Sequence, residues 1–367
     1  MVRRGVSLIE VLFAIGVVAV GLLGVIAVIP VGMRQAGKAD VTDRAARLGL
    51  NALEEFELRG YADPRRWRQL STSTPPVAGP VVLAPGRSIL PPGQSYAIDP
   101  RFLALTGNQS DPRSRWFPYT TFATGPAVLC MPRVTLSMTP SLTAGAMTAE
   151  QADAIFLGQD DLVFDLPKDK SLPPAQNYVA GSRREYEGTI SWMATAAPRM
   201  DQSGQLQNLY ILSIVVFHRR DSALMMDAVN ERVATIPADL FHSAGITSGD
   251  GVAPTGGDVT IVQHPGSTNP AEDLEVKVGN WVMLARLLPP VRPATAGVPL
   301  FRWYRVISAD PDSELNTATN LWQRDVTLEG PDWPVSTNYP TQVVIVSNVV
   351  AVYEKTIRLE SSSLWNY

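Results

Sequence analysis

Residues 3–33 read RRGVSLIEVLFAIGVVAVGLLGVIAVIPVGM, and a single carboxylate, Glu10, stands among them. From Val11 to Met33 no side chain is charged. That run exceeds the ~20 apolar residues a helix needs to cross hydrocarbon. An ionised side chain inside such a helix costs about 2.5–3.5 kcal/mol on insertion scales, so Glu10 calls for a partner. Arg3 and Arg4 precede the run and are expected to orient it, holding their own end in the cytoplasm. Everything beyond Met33 then lies on the other side of the membrane.

A cleaved secretory signal explains this pattern poorly. Such signals have an apolar core of about 7–15 residues and a small-x-small cleavage site. Here the run is longer, and the nearest candidate, Gly37-Lys38-Ala39, is a poor site. A plain signal anchor leaves Glu10 without a purpose.

The stretch resembles the class III signal of type IV pilins and pseudopilins, a short basic leader ending in Gly before an apolar helix whose fifth mature residue is Glu. Met1-Val2-Arg3-Arg4-Gly5 matches the leader, Val6 the first mature residue and Glu10 the fifth. Val6 departs from the Phe most frequent there. The continuation VAVGLLGVIAV is most similar to V-type minor pilins and I-type minor pseudopilins. The resemblance covers roughly the first 60 residues. It implies cleavage between Gly5 and Val6 by prepilin peptidase on the cytoplasmic face, with methylation of the new amine. It also gives Glu10 a partner, the amine of Val6 on its own or a neighbouring subunit. Opposite charges in a low dielectric gain only when paired, so that contact sets axial register in a filament. The implied partners are other pilin or pseudopilin subunits, the peptidase and inner-membrane lipid.

Gly16, Gly21, Gly24 and Gly32 punctuate the apolar run, and Pro30 is expected to kink the helix or melt a turn. The resemblance makes this a place where a subunit extends on assembly; ordinary glycine tolerance in membrane helices is the alternative. From Arg34 to Gly60 the pattern becomes amphipathic. Val41, Ala45, Leu48, Ala52, Leu53 and Phe56 form one stripe, with Asp40–Arg44 and Asp43–Arg47 as i,i+4 pairs. GYADP at 60–64 supplies a helix stop. Continuous, the two stretches span roughly 80 Å.

After Pro64 the chain reads as strands and turns. The expected strands are Ala127–Met138, Tyr186–Ala196, Leu209–His218, Val259–Gln263 and Val343–Leu359. NLYILSIVVFHRRD is apolar on both faces and is expected as a central strand beside the amphipathic helix. Residues 273–333 are rich in Trp and Tyr, with closely spaced strand-length runs, and are expected to form an inserted small β-barrel. There Trp281, Trp303, Tyr304, Trp322 and Trp333 either line a groove for a carbohydrate or peptide or fill the barrel core and its contact with the main sheet.

Signs of chemistry are sparse. The 367 residues carry a net charge of −4 and no basic block past the leader, which argues against nucleic-acid binding. Cys130, the only cysteine, sits in AVLCMPRVTL and is expected to be a packing thiol; an intrachain disulfide is impossible. G-x-S-x-G, H-E-x-x-H and the P-loop pattern are absent, and His218, His242 and His264 lack metal-ligand spacing. Asp310, Asp312 and Glu314, like Asp160 and Asp161, suit either a polar turn or a calcium loop. No catalytic residues, cofactor or metal are therefore expected.

The expected fold class is α+β: a long N-terminal membrane-spanning helix packed on an antiparallel β-rich head. The division is leader 1–5, helix 6–62 (membrane-spanning 6–33, amphipathic 34–60), head 63–272, inserted barrel 273–333 and a C-terminal segment 334–367 completing the head. The expected function, taken from the resemblance, is a non-enzymatic minor pilin or pseudopilin of a type IV pilus or type II secretion-type filament. It sits single-pass in the inner membrane with its head periplasmic, reaching the filament or cell surface after assembly. The alternative is a membrane-anchored extracytoplasmic binding protein with the barrel as ligand module.

Overall fold

Helix α1 (Leu8–Leu58, 51 residues) runs unbroken through Pro30 and Gly32. The computed structural model to which it belongs describes residues 8–70, 78–80, 94–105, 111–119, 127–141, 144–158, 189–200, 206–220, 230–242, 250–267, 269–288 and 297–359. The kink or melted turn expected at Pro30 does not divide the helix. One missing N–H removes a single bond, while propagation from turns on both sides keeps the rest. The helix stops where GYADP predicts. Gly60 adopts φ +66, its N–H donates to the Glu57 carbonyl, and Tyr61 N–H donates to the Phe56 carbonyl. This is a Schellman cap, closed by the edge-on contact of Phe56 with Tyr61, ring centroids 5.9 Å apart.

The first sheet contains β1 (Trp67–Leu70), β2 (Ala78–Pro80), β3 (Tyr96–Ile98), β4 (Trp116–Phe117), β5 (Met131–Leu136), β6 (Ile190–Met200) and β7 (Leu206–His218). The remaining strands are β8 (Glu231–Ile236), β9 (Asp250–Ala253), β10 (Gly256–Gln263), β11 (Trp281–Leu288), β12 (Val298–Ala309), β13 (Glu314–Asn316), β14 (Leu321–Glu329), β15 (Trp333–Ser336), β16 (Thr341–Val346) and β17 (Val349–Ile357). β17 joins the first sheet, whose order is β17-β7-β6-β3-β5-β1-β2 with β4 against β5. Every described strand pairing is antiparallel except β3 with β5.

The layers follow from strand alternation. On β6 and β7, Trp192, Ala194, Leu212, Ile214 and Val216 face α1, where Ala45, Ala52 and Phe56 are buried. Their neighbours Met193, Val215 and Phe217 face the other way, onto Met283, Phe301 and Trp303. This two-sided burial is why β7 is apolar from Leu209 to Phe217 apart from Ser213; it lies between β17 and β6, beneath α1, as its sequence predicts.

The second sheet, in the order β10-β8-β16-β11-β12-β14, closes through the pairing of β10 with β14 into a six-stranded barrel, with β13 appended to β14. Tyr304, Trp333, Leu284, Ile261 and Val343 fill it. The barrel is wider than the expected window 273–333. β8 and β10 precede that window and β16 follows it, because β11, β12 and β14 alone leave open edges that only those strands close. The run Val343–Leu359 is likewise two strands in two sheets. Asn348 adopts φ +64 and breaks the run, so β16 completes the barrel and β17 the first sheet.

Candidate functional site: the unpacked half of the N-terminal helix

α1 has two halves that differ in what they touch. Past Lys38 its stripe packs on the body: Ala45, Gly49, Ala52 and Phe56 are buried, and Leu48 and Leu53 partly so. The ring of Tyr353 lies against Gly49, and Lys355 Nζ meets Glu57 Oε2 at 2.8 Å. Before Arg34 none of the described side chains packs on the body. Leu8, Phe13, Leu23, Ile29 and Met33 are exposed, and a Cβ built at Gly16, Gly21, Gly24 or Gly32 meets nothing within 4 Å.

A helix apolar on every side does not remain in water. Among the described residues, α1 is the helix long and apolar enough to cross a membrane. Val11 to Met33 extends about 34 Å, which matches a hydrocarbon core of about 30 Å. Glu10 stands exposed in the first described turn, at one end of this run. Arg3, Arg4, Gly5 and Val6 lie outside the described residues.

The aromatics of the barrel segment go to separate places. Trp303 is buried between barrel and sheet and donates from Nε1 to Thr195 Oγ1 at 3.0 Å. Tyr304 and Trp333 lie inside the barrel, donating to the Pro331 carbonyl at 2.7 Å and to Thr341 Oγ1 at 2.9 Å. Trp281 packs at the sheet interface and Trp322 on the barrel core. Trp303, Tyr304 and Trp333 are therefore core residues, and Trp281 and Trp322 pack half-buried against those cores.

Among the described residues no group of three or more His, Cys, Asp or Glu is placed to hold a metal. His242 Nε2 contacts Thr260 Oγ1 at 2.9 Å, His264 Nδ1 accepts from Gly266 N–H, and His218 ends β7. The turn carrying Asp310, Asp312 and Glu314 is held by Arg324, whose Nε and Nη2 donate to the carbonyls of Asp310 at 2.8 Å and Pro311 at 2.8 Å. Asp160 and Asp161 lie outside the described residues. Cys130 is half-buried, and burial pushes its thiol up to about 12, as suits a packing residue.

Sequence reasoning missed one ionic cluster. Arg133, fully buried at the seam between β5 and the barrel, donates to Asp99 Oδ2 at 2.9 Å and to Glu231 Oε2 at 2.7 Å. Arg220 meets Asp99 Oδ2 at 2.6 Å, and Tyr119 N–H donates to Glu231 Oε2 at 2.6 Å. The Arg133 guanidinium also lies 3.8 Å from the Phe102 ring centroid. Burial pushes the Asp99 carboxyl up, but Arg220 and Arg133 outweigh it and hold the group below the usual carboxylate range. The members lie far apart in sequence, so no local pattern announces them.

Comparison of the chain with family models, with curated proteins and with solved structures finds no match.

Proposed function

We propose that this chain is a minor pilin or pseudopilin, a structural subunit of a type IV pilus or type II secretion-type filament, anchored in the inner membrane through α1. One observation carries the reading furthest: an apolar helical half, exposed on every side, continues without a break into a half docked on a β-rich body. A subunit that stands in the bilayer and passes into a helical assembly needs this division. The unpacked half then has two interchangeable surroundings, lipid and the helices of other subunits. In this reading prepilin peptidase cuts between Gly5 and Val6, and the new amine answers the charge of Glu10. In this reading the body is periplasmic, and a head larger than a repeating shaft subunit needs favours a low-copy priming or tip position.

The test is the fate of the full-length protein in its own cells. Recovery with sheared filaments or with the secretion complex, at low copy and beginning at Val6, supports the proposal. Recovery only as a free membrane protein with its leader uncut overturns it in favour of an anchored binding protein.

A further inference from the structure

The body-facing stripe of α1 does not end at its last buried residue. Arg34 lies eighteen residues, about five full turns, before Ala52, and Lys38 lies the same interval before Phe56. Ala52 and Phe56 are buried against the body, so Arg34 and Lys38 project to the same side of the helix, where both are exposed. Asp43 falls half a turn away, on the opposite face, and Asp40 is held by Arg44 at 3.1 Å.

β17 runs in the direction of α1, since Tyr353 meets Gly49 and Lys355 meets Glu57. The start of β17 therefore marks the rim of the body nearest Arg34. β7 ends at that rim: His218 N–H donates to the Asn348 carbonyl at 2.9 Å, and Arg219 follows, exposed, at φ +54. Gly49 stands about 22 Å from Arg34 along the helix, and Tyr353 about 13 Å from Val349 along the strand. Among the described residues the rim thus stops about 9 Å short of Arg34, against a headgroup layer of about 6 Å per leaflet. Among the described residues, the acids at this end of β3 and β8 are engaged, Asp99 by Arg133 and Arg220 and Glu231 by Arg133.

We propose that Arg34, Lys38 and Arg219 form a cationic notch beneath the body that docks on the headgroups of anionic phospholipids. The inference rests on the membrane-anchoring reading above and adds the lipid chemistry the body meets. Arg34 directly follows the last apolar residue of the run, Met33, so the notch lies where phosphates lie. Seated there, the body is held upright on the bilayer, and leaving the membrane requires giving up those phosphates.

The full chain is reconstituted in nanodiscs of phosphatidylcholine, alone or with phosphatidylglycerol, and amine acetylation of Lys38 is compared with that of Lys355, which meets Glu57 about 28 Å further along α1. Phosphatidylglycerol is expected to slow labelling of Lys38 about fivefold or more relative to Lys355, the effect of one basic group at an anionic surface. Raised salt, or Arg34→Glu with Arg219→Glu, is expected to restore it. Equal labelling of Lys38 in the two lipids overturns the notch and leaves the anchor standing. Failure of the chain to co-elute with nanodiscs overturns the anchor itself, and the notch with it.

Discussion

Residue 49 and Tyr353 stand so close that a Cβ on Gly49 would lie 2.1 Å from Cδ2 of the tyrosine ring. The helix rests on β17 because position 49 has no side chain. Real Cβ contacts do not occur at that distance, so a larger residue must displace the Tyr353 ring or push helix and strand apart. Gly49→Ala is expected to destabilise the body by about 1–3 kcal/mol through overpacking, despite its better helix propensity. The apolar half of α1 is untouched, so membrane extraction behaviour stays unchanged while thermal unfolding shifts down. An unchanged midpoint shows that helix and strand separate without cost.

The cluster of Asp99, Arg133, Arg220 and Glu231 predicts acid lability. Asp99 has its folded pKa held below its unfolded value, so its contribution is complete above about pH 4 and is lost as pH falls through the lower folded value. Asp99→Asn leaves Arg133 short of one acceptor in a dry seam and is expected to cost about 3–5 kcal/mol near neutrality. The gap between wild type and variant narrows below about pH 4. Denaturant titration across pH checks this, and a gap constant with pH removes the electrostatic account.

The leader junction predicts processing. Replacing Gly5 with a bulky residue is expected to leave full-length precursor in the membrane, whereas the parent chain is expected to begin at Val6, N-methylated. Mass spectrometry of the amino terminus decides the matter, and a terminus after Ala39 returns the segment to an ordinary signal peptide.

Glu10 predicts assembly. Glu10→Leu removes a charge that costs about 2.5–3.5 kcal/mol in hydrocarbon, so insertion is expected to improve slightly and cleavage at Gly5 to persist. Incorporation into filaments, or crosslinking to partner pilins, is expected to fail because the proposed pairing with the Val6 amine is gone. A variant that is processed and incorporated normally shows Glu10 to be merely tolerated.

What the sequence determined by itself was local. The apolar run, the stripe from Val41 to Phe56, the stop at Gly60 and the doubly apolar β7 are each legible because one stretch of chain carries the whole signal. Propensity and periodicity act over a few turns or a few strand residues, and in these four stretches the reading matches the structure, whereas the break expected at Pro30 and the single strand expected over 343–359 do not. Tertiary structure decided which strands share a sheet. β8, β10 and β16 belong to the barrel with β11, β12 and β14 because an open edge must be paired, and edge pairing is a relation between distant segments. The same holds for Arg133, which takes its carboxylates from Asp99 and Glu231, and for Gly49, whose need to be glycine is set by Tyr353 from the far end of the chain. In each case one half of the contact is written in one place and the other half elsewhere, and only the packed fold brings the two within reach.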